Sequence, residues 1–429
     1  MNSLEITLTL PDPVQPKFCR LTLDGGRLIR ASWTGGRRPR VTTKDLDVQS
    51  GSHAKRAFGR ARDEMMRKGY CRVSDAGGAA RGETVLEMLV PNRCPADVFD
   101  ISPDGGSLVV GTMLAGAYGA EIHLVDIATG RRRLVHSEPP EPGPAPLGKG
   151  QTFLHTVLFH PDGEQIVYLL NGETRLLDPL SGRQRRLAAY REGKDAAFNP
   201  FCVHPAWNRN RTRLLVFDAG TMVRVLDADG SPLWEVCTAD PVTQCRAGAL
   251  SPSGQLVALH RASRGVIYRH EDALHDVTNE IEVWDITAGR PIARIPAPVA
   301  GRTVHRVGFD PAEGLIVGNP DPVQGPCGMS ISTGELAWHF PHGFLTSRWD
   351  TCYAWDYSPD GAMLAIGRRD LVDIVDAGMP AGDPASGLGP STDDRTGPTG
   401  RTNRVRFSGD GRLLAYGGDS GRLVIRKIR

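Results

Sequence analysis

The stretch VFDISPDGGSLVVGTM, residues 98–113, holds two apolar runs hinged on Ser-Pro-Asp-Gly. Asp-Gly tolerates the positive φ that a tight hairpin demands, so the stretch reads as two adjacent antiparallel strands. Six more stretches repeat the pattern: TVLFHPDGEQIVYLL (156–170), FCVHPAWNRNRTRLLVF (201–217), AGALSPSGQLVALH (247–260), RVGFDPAEGLIVG (306–318), AWDYSPDGAMLAIG (354–367) and VRFSGDGRLLAYGG (405–418). Asp-Gly itself recurs at 104–105, 162–163, 360–361 and 410–411. Turn positions about 44 to 60 residues apart fit one small sheet per repeat, with room for insertions.

Several repeats continue into a third run that ends in an acidic residue and a turn: IHLVDIATGR (122–131), TRLLDPLSGR (174–183), VRVLDADGS (223–231) and IEVWDITAGR (281–290). The last repeat supplies only three runs before Arg429, whereas the segment GETVLEMLVPN (82–92) precedes the first repeat and has the pattern of a strand. A four-stranded unit at the end of the chain therefore needs residues 83–91 as its outer strand, which would cover an open sheet edge. Two stretches depart from the repeat, 261–279 and the Gly/Pro/Ser/Thr-rich 377–402.

These residues resemble the WD40 family over roughly 83–429, with Trp284-Asp285 as the intact dipeptide and Asp126, Asp178, Asp227 and Asp376 in the matching place elsewhere. The resemblance implies an all-β, seven-bladed WD40-type propeller closed by an N-terminal strand and working as a non-catalytic platform for a protein partner. In such a fold the connecting loops converge on one rim. Tyr118, His155, Tyr268, His270, Trp349, Arg368 and Arg369 are the expected partner contacts. His155 and His305 also stand where family members brace a loop by hydrogen bonds, while Trp234, Trp338 and Trp355 fall within strands and should pack between sheets.

Fifty glycines and thirty-two prolines spread along 429 residues suit many short strands joined by turns. No run reaches the length of apolar sequence that a membrane helix needs, and the start MNSLEITLTLPDP has no signal-peptide pattern. The eight cysteines show no C-x-x-C pair, so reduced thiols in a cytoplasmic protein are expected. The interval between His339 and His342 suits a metal, but no third ligand follows at a matching spacing. No Gly-x-Ser-x-Gly elbow, Walker loop or His-Glu-x-x-His motif occurs, so neither catalysis nor a cofactor is expected.

The net charge of +2 conceals an asymmetry: residues 17–73 hold fifteen Lys/Arg against five Asp/Glu, and residues 74–429 carry −6. Two domains follow, 1–76 and 77–429. Within the first, 17–50 reads as strands turning at Asp24-Gly25-Gly26 and Gly35-Gly36, and 52–68 as a helix with Ser52 as its cap and Ala54, Phe58, Ala61 and Met65 on one face.

This small α+β unit resembles the WGR domain, the best match being AKRAFGRARDEMMRKGY (54–70) with its closing Lys68-Gly69-Tyr70. The family's Trp-Gly-Arg is spread here over Trp33-Thr34-Gly35-Gly36-Arg37-Arg38. The resemblance implies contact with nucleic acid, in particular DNA ends. An aromatic face stacks on a terminal nucleotide while guanidinium forks bind phosphate. Trp33, Arg30, Arg37, Arg38, Arg40 and Lys44 are the expected contacts. The alternative is a purely structural assembly subunit, in which the basic domain meets an acidic protein or the acidic body of its own chain.

Overall fold

The computed structural model describes residues 3–46, 51–113, 119–139, 154–189, 204–218, 222–238, 243–263, 279–296, 306–321, 325–339, 354–368, 372–378 and 402–429. It begins with a four-stranded antiparallel sheet, β1 (Leu4–Leu10), β2 (Lys17–Asp24), β3 (Arg27–Thr34) and β4 (Arg40–Asp45), in chain order. The segment LEITLTL alternates with period two and forms β1, a strand that the reading of 17–50 leaves out.

Helix α1 (Gly51–Arg67) covers one face of this sheet. It buries Ala54, Phe58, Met65 and Met66 against Leu8, Cys19, Leu21 and Leu23. Gly69, at φ 92°, takes the backbone out of the helix, and Cys71 bridges back to Thr9. Strands β5 (Arg72–Val73) and β6 (Thr84–Leu89) follow.

Among the described residues seven further antiparallel sheets succeed one another, spanning 99–138, 154–189, 206–237, 243–296, 307–339, 354–376 and 402–427, here numbered one to seven. Sheets one to five have four strands each, and sheet six has three among the described residues. Of the departures at 261–279 and 377–402, residues 264–278 and 379–401 lie outside the described residues. In sheet seven the final strand, Arg422–Lys427, pairs antiparallel with β6, which pairs in turn with β5.

The turn chemistry explains why the hairpins form where they do. Gly105, Gly163, Gly361 and Gly411 all have φ between 70° and 75°, the left-handed conformation that Asp-Gly was read to require. Ahead of them the Ser102, Ser358 and Ser408 hydroxyls donate to Asp104, Asp360 and Asp410 at 2.5–2.6 Å. Sheet three has no glycine there, and Arg211 takes the positive φ. The repeated third-strand aspartates close the next turn: Asp126, Asp178, Asp227, Asp285 and Asp376 each accept a backbone N–H two to four residues on.

Each sheet packs on the next through an apolar cluster. Phe159 and Tyr168 of sheet two meet Val109 and Ile122 of sheet one, and Leu158 and Val167 meet Leu214 and Val216 of sheet three. Phe217 meets Val257, Ile281 meets Phe309, Val317 meets Trp355, and Ile374 meets Val405. The last cluster returns to the start, setting Leu413, Ala415 and Ile425 of sheet seven with Val85 and Leu86 of β6 against Phe99, Ile101 and Leu108 of sheet one. The expected core tryptophans divide accordingly, Trp355 being 4% exposed and Trp234 and Trp338 partly buried.

The N-terminal unit is tied to sheet seven by a buried square of four charges. Arg62 of α1 reaches Asp63 at 3.2 Å and Glu87 of β6 at 3.6 Å. Arg422 completes the square at 3.3 Å from Asp63 and 3.5 Å from Glu87. All four side chains are at most 12% exposed, so the charges are out of water and rely on one another. Glu87→Ala leaves two guanidiniums with one carboxylate and should cost about 3–5 kcal/mol, seen as a lower urea midpoint. A protein starting at residue 95 loses both the square and β6. Its circular-dichroism melt should be broad and shifted far down; a sharp melt at the native temperature would show that sheet seven stands without β6.

Candidate functional site

Two places gather chemistry-bearing side chains: the N-terminal sheet and a cavity where the first strands of all seven sheets converge.

On the N-terminal sheet the register decides which residues work together. Directly opposed residues of antiparallel strands share a face. Trp33 opposes Phe18, Ala31 opposes Arg20, and Val41 opposes Ala31, so these lie on the face away from α1. Arg30 opposes buried Leu21, and Arg40 and Lys44 oppose Ser32 and Leu28, which puts all three on the α1 side. The six expected contacts therefore do not form one surface.

Trp33 stacks on Phe18 with ring centroids 5.4 Å apart and 19° between planes. Arg20, which the sequence reading passed over, lies over the indole at 5.7 Å. The signal for it is the alternation Phe18-x-Arg20 opposite Ala31-x-Trp33. Arg37 and Arg38 are exposed in the turn after β3, at the end of the sheet where Trp33 sits, and make no ion pair among the described residues.

The cavity has a volume of about 690 Å³. Every sheet contributes to its wall from its first strand: Asp100, Thr156, Trp207, Ala249, Phe309, Asp356 and Arg404 in turn. Its charged lining comprises Arg209, Arg211, Arg306, Arg404 and Arg406 against Asp97, Asp100 and Asp356.

Two of these aspartates are structural. Asp100 accepts the backbone N–H of Phe159 in the next sheet at 2.9 Å and pairs with Arg211 at 3.0 Å. Arg211 also donates to the carbonyls of Phe159 and Ile101, at 2.9 and 3.1 Å. Asp356 repeats the arrangement with Phe407 N–H at 3.0 Å and Arg406 at 3.5 Å. Both stand two residues before the turn serine, in Asp-Ile-Ser-Pro-Asp-Gly and Asp-Tyr-Ser-Pro-Asp-Gly.

Arg404 is held differently. Its Nε donates to the Phe99 carbonyl at 2.9 Å, and its Nη2 is buried with no hydrogen-bond partner among the described residues. Burial, and then the like charges of Arg406 and Arg306, push it down to about 9. Burial also pushes the Asp97 carboxyl up to about 6, against the pull of Arg404. His155 lies in the cavity wall, not on an open rim, and burial lowers it to about 4, so it is neutral at pH 7. Beside it Thr156 Oγ and His204 Nδ1 are 2.8 Å apart.

Of the other expected partner contacts, Arg368 is engaged with Asp373 at 2.8 Å, both largely buried. Tyr118, Tyr268, His270, Trp349 and Arg369 lie outside the described residues, as does His342.

No family model matches the chain, and no curated protein matches it either. A structural match does exist. The crystal structure of a mitotic checkpoint complex contains a chain that superposes with a TM-score of 0.53 at 14% identity, over 82% of this chain and 93% of that one. Together with the succession of small antiparallel sheets, this match gives the fold as a β-propeller of WD40 type. Solved chains that match number 878, so the architecture is common and any function resides in the side chains it carries. Among the described residues no helix is long and apolar enough to cross a membrane.

The Asp97 shift yields a signed pH prediction. Its carboxyl titrates near 6 in the folded chain against 3.8 when unperturbed, so its favourable contribution is complete below about 4 and is lost as pH rises through 6. Asp97→Asn should gain stability over the parent from pH 5 to pH 8. Denaturant melts of both at the two pH values check the sign.

Proposed function

We propose that this chain is a non-catalytic scaffold: a closed, seven-bladed WD40-type propeller that holds a protein partner, carrying a WGR-like domain that contacts nucleic acid. The observation behind this reading is the placement of the N-terminal sheet. The buried Arg62–Asp63–Glu87–Arg422 square fixes that unit to the propeller through α1 and leaves the opposite face, with Trp33, Phe18 and Arg20, turned outward.

A tryptophan backed by a second ring and flanked by arginine suits stacking on an exposed base, and the exposed Arg37 and Arg38 beside it suit phosphate. Arg30, Arg40 and Lys44, on the α1 side, add to the general positive field. The seven clusters that join sheet to sheet make the propeller stiff, as a platform for a protein partner has to be. The matched chain comes from a multiprotein complex, which accords with such a role.

The test is an electrophoretic shift with blunt duplex at two salt concentrations. Binding should fall steeply with salt. Trp33→Ala should weaken preference for ends over internal duplex, and Arg37→Ala with Arg38→Ala should lower affinity for all DNA by about tenfold or more. Absence of any shift at low salt would leave the purely structural assembly role as the surviving account of the basic domain.

A further inference from the structure

The propeller cavity contains a charge arrangement that a passive axle does not need. Five arginines line it against three aspartates, and two of those aspartates are already spent on Arg211 and Arg406. The third, Asp97, is the carboxyl that burial disfavours as an anion. Arg404 forms no ion pair among the described residues, and its only hydrogen bond is to a neutral carbonyl.

A buried guanidinium with no paired carboxylate is costly; Asp100 and Asp356 act on Arg404 without pairing with it, and they do not offset its burial. Arg306 and Arg406 stand close enough for their like charge to act on it, which raises that cost further.

We propose that the cavity binds a small phosphorylated ligand, with Arg404, Arg306 and Arg406 as its anchors. The size suits this class: about 690 Å³ falls within the range of small-molecule pockets. The charge suits it too. The excess of positive over negative lining side chains is two, and a phosphate ester carries close to two negative charges at neutral pH. Guanidinium forks match the tetrahedral oxyanion by paired hydrogen bonds. Tyr357, partly exposed on the same wall, offers a ring to the rest of the molecule.

This ligand is separate from the DNA contact proposed for the N-terminal sheet, so either can fail without the other. Pyrophosphate is the probe, measured by thermal melting and by titration calorimetry against potassium chloride of equal ionic strength. Pyrophosphate should raise the melting temperature of the full chain by several degrees beyond the salt control.

Arg404→Met should weaken pyrophosphate binding by about tenfold or more while leaving the ligand-free protein as stable as the parent or more so, because the buried charge is gone. A merely structural arginine predicts the opposite, a less stable protein with unaltered binding. Asp97→Asn removes a competing carboxylate and should tighten binding. If Arg404→Met does not fold, Arg306→Met together with Asp97→Asn decides the matter, the first weakening and the second strengthening the interaction. No pyrophosphate shift in the parent chain, or equal shifts in parent and variants, overturns the site.

Discussion

The architecture depends on one strand pairing. The final strand, Arg422–Lys427, has a bare edge unless β6 lies against it, and β6 belongs to a segment that precedes the first sheet. The hydrogen bonds of that pairing join parts of the chain more than three hundred residues apart. They carry with them the apolar cluster in which Leu86, Phe99 and Ile425 meet. Without β6, sheet seven would expose backbone donors and acceptors along its outer side. The small N-terminal unit would also be held less firmly, since β5 pairs with β6 and Glu87 of β6 holds Arg62.

The cavity follows from the same geometry. Seven first strands converge, and each offers one to four residues to a common space. Such a position can be apolar and fill the axle, or polar and brace neighbouring sheets as Asp100 and Asp356 do through the amides of Phe159 and Phe407. Arg404 does neither fully, for among the described residues its hydrogen bond goes to a neutral carbonyl.

Much of the repeat architecture was legible because its signals are local. Asp-Gly and the third-strand aspartates mark turns through their own conformation and hydrogen bonds, and the face of α1 announces itself by spacing. What the sequence hid was long-range. β1 escaped because one short alternating run near a terminus has no neighbour in sequence to define it. The expected contacts of the N-terminal sheet were chosen by charge and proximity in the chain, but alternation sends Arg30 and Trp33 to opposite faces. The arginines of the cavity were passed over because Arg211, Arg306 and the pair Arg404-x-Arg406 come from three segments far apart in the chain, and no single strand shows which of its faces will turn toward a shared centre. His155 was placed on a rim for the same reason, and it lies in the wall.

The square of charges behind α1 bears on how the protein comes into being. Asp63 and Arg422 are 359 residues apart, so a ribosome releasing the chain exposes one long before its partner exists. Until synthesis reaches the final strand, Arg62, Asp63 and Glu87 carry a surplus negative charge and β6 has a vacant side. The nascent protein thus passes through a stage in which six sheets are available and the seventh is not, a stage vulnerable to pairing with another molecule and suited to protection by a chaperone.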